Sequence, residues 1–325
     1  MPFTVAHSPE EWISQFGGSR TAVTIGNFDG VHCGHRKLFE RVVERAHREN
    51  CIAAALTFSP HPARVLRPEV SPPMIETFAQ RIERMRALGL NAVFVLRFDA
   101  AVALMSPQEF VQRILAHTLH ARAVLVGENF RFGHRQAGDT RLLAELGRTQ
   151  DFEVECVRYL AIRGTAVSSS AVRAAISAGQ MERAARLLGR PFALAGEIRT
   201  GTGTGRRFVF PTLNLKTKQE LLPARGVYAT EAIVNGKRYR AATNLGMRPT
   251  FDGTRLSIES HLFDFSEEIT SGPLEIRFWH RLREEEKFPG PEALREQIQR
   301  DLVATRSFFA RLDAARRIAK RTAAN

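Results

Sequence analysis

The chain has 325 residues, more than a single hydrophobic core usually organises, so two domains are expected. Apolar residues make up 44% and charged residues 25%, and no uninterrupted apolar run approaches the ~18 residues of a membrane span, which argues against membrane-spanning and disordered classes. Lys and Arg number 47 against 34 Asp and Glu, a net +13 carried mostly by scattered arginines; this attracts polyanions such as nucleic acid or nucleotide phosphates, or simply gives a solvated basic surface.

Met1-Pro2-Phe3-Thr4-Val5 lacks the basic and apolar stretches of a secretory signal. Apolar runs at Thr21–Ile25, Cys51–Phe58, Asn91–Phe98, Ala121–Gly127 and Phe152–Val157 read as strands. Between them lie a helical face of Leu38, Val42 and Ala46 and a stripe of Phe78, Ile82, Met85 and Leu88 closed by Gly89. Ser106-Pro107-Gln108-Glu109 is a capping box with proline at the first helical position, and Arg141–Leu146 reads as a further helix. This alternation predicts a parallel sheet covered by helices on both faces, with ligands bound beyond the carboxyl ends of the strands. Past Gly189-Arg190-Pro191 the pattern turns to β. Gly226–Val234 and Lys237–Thr243 flank the hairpin signal Asn235-Gly236, Ser257 to Phe263 alternate, and Leu274–Trp279 is another strand candidate. A helix is expected from about Glu292 to Ala315, followed by a frayed basic tail from Arg316 to Arg321.

Three cysteines, Cys33, Cys51 and Cys156, are odd in number and widely spaced, which argues against a disulfide framework and for a cytoplasmic location. Gly26-Asn27-Phe28-Asp29-Gly30-Val31-His32-Cys33-Gly34-His35 leaves the first predicted strand and enters the first helix. Its glycines let backbone approach a ligand, and a helix amino terminus offers free N–H donors to phosphate. His32 and His35 flank Gly34, so both imidazoles can lie on one side of the turn and stabilise charge building on a phosphate. A tight turn with two surface histidines is the plainer alternative; a zinc site at His32, Cys33 and His35 matches no usual ligand spacing.

This segment resembles the H-x-G-H signature of nucleotidylyltransferases, in the form found in bacterial bifunctional riboflavin kinase/FAD synthetases. Thr57-Phe58-Ser59-Pro60-His61-Pro62 resembles that family's T-F-x-P-H-P loop, and Gly127-Glu128-Asn129-Phe130-Arg131-Phe132-Gly133 its flavin-side loop, with Asn129 where aspartate is commoner. Ser168-Ser169-Ser170-Ala171-Val172-Arg173 resembles S-S-T-x-x-R. By the resemblance His32 and His35 are catalytic, Gly26, Phe28, Gly34, Ser169 and Arg173 bind nucleotide, and Asn27, Asp29, Asn129 and Phe130 bind flavin. The fold it implies is a Rossmann-like nucleotidylyltransferase domain with a parallel sheet over 1–188, then a small antiparallel β-barrel riboflavin kinase domain with a carboxyl-terminal helix over 189–325.

Gly196 to Arg206 is glycine-rich but is neither a P-loop nor a dinucleotide fingerprint. A loop capping phosphate between two strands fits it, as does a plain hairpin linker. In an extended strand Thr212 and Asn214 point to one face, where their oxygens could meet one Mg²⁺. Arg206 to Asn214 resembles the kinase signature G-R-x-x-G-F-P-T-x-N, with Val209 in place of a glycine, and Asn244-Leu245-Gly246-Met247-Arg248-Pro249-Thr250-Phe251 resembles another family segment. The resemblance assigns Gly201, Gly205 and Arg206 to nucleotide, Arg248 to flavin, Thr212 and Asn214 to the metal, and Glu259 as the base that takes the proton of the flavin ribityl hydroxyl. Asp264 to Gly272 lacks the family's tyrosine.

The activity implied is phosphorylation of riboflavin by ATP to FMN, then adenylylation of FMN to FAD with release of pyrophosphate. The expected substrates are riboflavin, FMN and ATP, with Mg²⁺ as cofactor and neither nucleic acid nor membrane as partner. Two alternatives remain: a chain that kept only one activity, and a non-catalytic nucleotide or RNA binder. The second lacks the interleaved basic and aromatic run that single-strand binders use.

Overall fold

A computed structural model describes residues 2–199, 212–250, 253–267 and 269–324. Gly201, Gly205, Arg206 and Val209, and the side chain of Arg248, lie outside the described part.

By packing, the chain divides into Met1–Ser169 and Ser170–Asn325. The first unit contains β1 (Thr4–Ala6), α1 (Pro9–Phe16), β2 (Thr21–Ile25), α2 (Cys33–Glu49), β3 (Ile52–Ser59), α3 (Pro62–Leu66), α4 (Phe78–Ala87) and β4 (Ala92–Arg97). It continues with α5 (Ala100–Leu104), α6 (Pro107–Glu109) running into a π-helix (Phe110–Thr118), β5 (Ala121–Gly127), α7 (Thr140–Thr149), β6 (Glu153–Val157) and a small hairpin of β7 (Ala161–Ile162) and β8 (Thr165–Ala166).

Six strands form one parallel sheet in the order β1-β4-β3-β2-β5-β6. Alternate residues feed two cores. Val23, Leu56, Phe94 and Val124 pack with Trp12, Phe110, Leu115 and Leu143 on one face. Ala22, Ala55, Val93 and Leu125 pack with Phe39, Val42 and Met85 on the other. Burial on both faces is why these strands read as nearly continuous apolar runs. From β2 the chain steps to β3 and β4 on one side, while β5 and β6 lie on the other. The carboxyl end of β2 is therefore the switch point where such sheets open a crevice.

In the second unit α8 (Ser169–Ser177) and α9 (Met181–Leu188) precede β9 (Phe192–Arg199), β10 (Leu213–Thr217), β11 (Gly226–Val234), β12 (Lys237–Thr250), β13 (Gly253–Leu262), β14 (Pro273–Glu284) and α10 (Pro291–Ala324). Packing thus groups α8 beyond its first residue, and all of α9, with the barrel, whereas the sequence boundary was expected at 188/189. The strands close into an antiparallel barrel, β10-β13-β12-β11-β14-β9, which leaves no free edge. Asn235 and Gly236 both take positive φ (49° and 76°), as the two-residue turn between β11 and β12 requires.

The fully buried hydroxyls of Thr230, Thr243 and Ser260 join at 2.7 Å across three strands. Arg283 of β14 clamps Asp301 of α10 with contacts of 2.8–3.2 Å. The basic tail is not frayed: α10 continues to Ala324, and Arg316 lies 4.7 Å over the ring of Trp279, a cation–π contact that anchors the helix beyond the expected end.

Candidate active sites

The segment joining β2 to α2 turns sharply through unusual backbone. Phe28, Gly30 and Val31 all have positive φ, at 49°, 81° and 34°. For Phe and Val this is strained geometry of the sort that clusters at functional sites. At Gly30 a Cβ would come within 2.8 Å of Ile75 Cδ1. Gly34 is held less tightly, since a Cβ there would meet the His32 ring at 3.2 Å.

His32 caps α2. Its Nδ1 accepts the backbone N–H of His35 at 3.3 Å, so in the neutral ring Nε2 carries the proton. The His32 and His35 rings stack at 3.6 Å and 14°, and Phe28 meets His35 edge-on at 5.3 Å. Two imidazoles and the amino end of a 17-residue helix are thereby gathered at the switch point, where donors can face an anion. Among the described residues no three His, Cys, Asp or Glu side chains gather as a metal site.

Two residues expected against flavin or nucleotide are turned inward. The Phe28 ring is buried between His35 and Phe39. Asp29 is 1% exposed, and its carboxylate accepts the N–H groups of Ile75 (3.0 and 3.1 Å) and Glu76 (3.4 Å). Buried Arg81 completes this support, donating to the Asn27 carbonyl at 2.6 Å. Burial pushes the Arg81 guanidinium below its ordinary value, while the Asp29 and Glu76 carboxylates oppose that shift; Glu76 in turn pairs with Arg84. Sequence reading missed Arg81, because a cation beside the apolar stripe of α4 gives no sign that it reaches a loop 54 residues away.

Asp29→Ala would remove the acceptor of two buried N–H groups and a charge facing Arg81. The expected loss is about 3 kcal/mol from the stability of the first unit. Urea unfolding followed by Trp12 fluorescence, in a Trp279→Phe background, measures it.

Asn27 keeps a ligand-facing character. Its Oδ1 is a buried acceptor with no hydrogen-bond partner among the described residues, suited to a ligand N–H. Gly26 closes the approach on the strand side, where a Cβ would lie 2.9 Å from the Phe28 ring. Ser169 Oγ donates to the Asp29 carbonyl at 2.8 Å, tying the start of α8 to the loop. Half-buried Arg173 lies one helical turn further along. At the carboxyl end of β5, next to β2 in the sheet, Asn129 is exposed and half-buried Phe130 stacks on Phe132 at 5.6 Å.

The barrel carries a second constellation. Glu259 of β13 stands opposite Asn214 of β10 and Asn244 of β12, so the three share one row across adjacent strands. Ile258, Ser260 and Leu262, of the other parity, are buried with the barrel core. Glu259 is nevertheless only 9% exposed. Thr212 and Asn214, two residues apart and both half-buried, belong to the same face, offering the hard oxygen donors that suit Mg²⁺. Ser257 also shares this face, its hydroxyl donating to Glu259 Oε1 at 2.5 Å. Sequence reading passed over Ser257 and the pairing of Asn244 with Glu259, although the alternation of β13 puts Ser257 on the glutamate's side.

Family models for FAD synthetase and for riboflavin kinase match residues 17–171 and 188–309 respectively. The bifunctional riboflavin kinase/FMN adenylyltransferase of Escherichia coli (strain K12) is 32% identical over 298 residues, covering 91% of this chain and 95% of the relative. That of Pseudomonas fluorescens is 35% identical over 288 residues, 88% of this chain and 92% of its own length. A crystal structure described as a macrolide-efflux protein from Streptococcus pneumoniae is similar with a TM-score of 0.83 at 27% identity, over 94% of this chain and 99% of that one.

Proposed function

The chain belongs to the bifunctional riboflavin kinase/FMN adenylyltransferase family, and from that membership we propose that it converts riboflavin to FAD in two ATP-dependent steps on separate domains. The functional boundary we propose is 188/189, giving an adenylyltransferase over 1–188 and a kinase over 189–325. The riboflavin kinase match begins at residue 188.

In the kinase step the ribityl hydroxyl attacks the γ-phosphorus of ATP and ADP leaves. Glu259 takes the hydroxyl proton. What supports this most is the row of Asn214, Glu259 and Asn244, which places a proton acceptor beside oxygen donors on one barrel face. Thr212 and Asn214 would hold Mg²⁺, which when bound neutralises charge on the phosphate oxygens.

In the second step an FMN phosphate oxygen attacks the α-phosphorus of ATP and pyrophosphate leaves. His32, His35 and the amino end of α2 stabilise the charge that develops on the α-phosphate. Ser169 and Arg173 hold the outer phosphates, and Asn27, Asn129 and Phe130 meet the flavin. Asp29 and Phe28 act from beneath the loop, by fixing its shape. Neither step requires a covalent intermediate with the protein, so both rest on positioning and electrostatics.

We place the reaction in the cytoplasm, in keeping with the odd number and wide spacing of Cys33, Cys51 and Cys156. Among the described residues no helix is long and apolar enough to cross a membrane.

Incubation of the purified protein with riboflavin, ATP and Mg²⁺, with chromatographic separation of the flavins, tests the reading. FMN should appear first and FAD after it, with ADP and pyrophosphate released. Accumulation of FMN without FAD would remove the adenylyl step. FAD formed only from supplied FMN would remove the kinase step.

A further inference from the structure

We propose that Ser257 is a positioning residue for riboflavin phosphorylation, fixing the carboxylate of Glu259 in the orientation that receives the substrate proton; the inference rests on the reading of Glu259 as the base. The two residues lie on one side of β13, and the Ser257 hydroxyl donates to Glu259 Oε1 at 2.5 Å. A glutamate has three rotatable side-chain bonds, and on a strand its carboxylate can sweep a wide arc. Proton transfer depends on the acceptor standing within hydrogen-bond reach of the reacting hydroxyl, so a fixed carboxylate has a direct kinetic value.

Two further observations separate this role from one in holding the fold. The register of β13 is already set by ten consecutive pairings with β12, from Ala241↔Leu262 to Thr250↔Gly253, and by the buried Thr230, Thr243 and Ser260 hydroxyls on its other face. Ser257 itself is half-buried and stands opposite Gly246, which has no side chain to pack on it. A Cβ at Gly246 would collide with Glu285 Oε1, which accepts the Met247 N–H at 2.9 Å. The Ser257 hydroxyl is thus directed to the glutamate on its own strand.

Ser257→Ala and Ser257→Thr, made in the full chain, test the proposal. In Ser257→Ala the kcat for riboflavin phosphorylation should fall about ten-fold or more, with the KM for riboflavin within about two-fold of native. Thermal unfolding and the conversion of supplied FMN to FAD should be unchanged. Ser257→Thr keeps the hydroxyl on a side chain suited to a strand and should restore most of the kcat. Native kcat in Ser257→Ala would overturn the proposal, as would equal losses in both variants accompanied by a lowered melting temperature. Glu259→Gln distinguishes the levels: if it abolishes phosphorylation while Ser257→Ala does not slow it, only the role of Ser257 falls. If Glu259→Gln phosphorylates at the native rate, both assignments fall.

Discussion

Glu259→Gln should lower kcat for riboflavin phosphorylation by ~10²–10⁴-fold, the range a positioned general base contributes. Glutamine has the same shape, and its carbonyl oxygen can still accept the Ser257 hydroxyl, so the 9%-exposed site keeps its packing. What disappears is the capacity to take a proton. The barrel should therefore unfold as the native one does, and the riboflavin KM should stay close to native. Conversion of supplied FMN to FAD should persist, because His32 and His35 belong to the other unit. A pre-steady-state measurement of FMN formed per enzyme isolates the chemical step from product release. Native-rate phosphorylation by this variant would remove Glu259 as the base and leave the row of Asn214, Glu259 and Asn244 as a binding surface.

The sequence disclosed most where burial is symmetrical. Strands β2 to β5 are covered on both faces, so their apolar runs stand out against the intervening helices. The turn between β11 and β12 was equally plain, since Asn-Gly satisfies its own positive φ values locally. Short or peripheral pieces carried no such mark. The three-residue β1 is too brief for any periodicity, yet it forms the edge of the sheet beside β4. The basic end of α10 looked like a solvated tail because its anchor, Trp279, lies on a strand 37 positions earlier.

The site residues divide along the same line. The spacing of His32 and His35 was legible because the cap and the ring stack are formed within four residues. The resemblance set Asp29 against flavin, whereas the fold turns it inward. Its acceptors are occupied by backbone 46 and 47 residues away, a partnership that nothing local announces. Glu259 shows the complementary case: the alternation of β13 sets it off the core face, and only the folded chain reveals its burial. Where a residue's role depends on who covers it, one strand's pattern is not enough.

His35→Ala is the sharper of the two histidine tests, and the geometry explains why. His32 holds α2 through its own Nδ1, which accepts the backbone N–H of residue 35; replacing His32 would remove that cap, at a cost of about 1 kcal/mol, together with a buried ring. A loss of activity there would mix helix disruption with lost chemistry. In His35→Ala the backbone N–H is kept, so the cap survives and only the half-buried imidazole is lost. If that ring stabilises charge on the α-phosphate, kcat for FMN adenylylation should drop ~10²–10³-fold, as when one donor to a developing oxyanion is removed. Riboflavin phosphorylation should continue, so FMN should accumulate from riboflavin where the native protein makes FAD. The release of pyrophosphate from supplied FMN and ATP gives the rate directly. Adenylylation within a few-fold of native would mean that the stacked rings shape the loop and that backbone N–H groups alone carry the phosphate, which His35→Gln and His35→Asn could then confirm by matching the alanine variant.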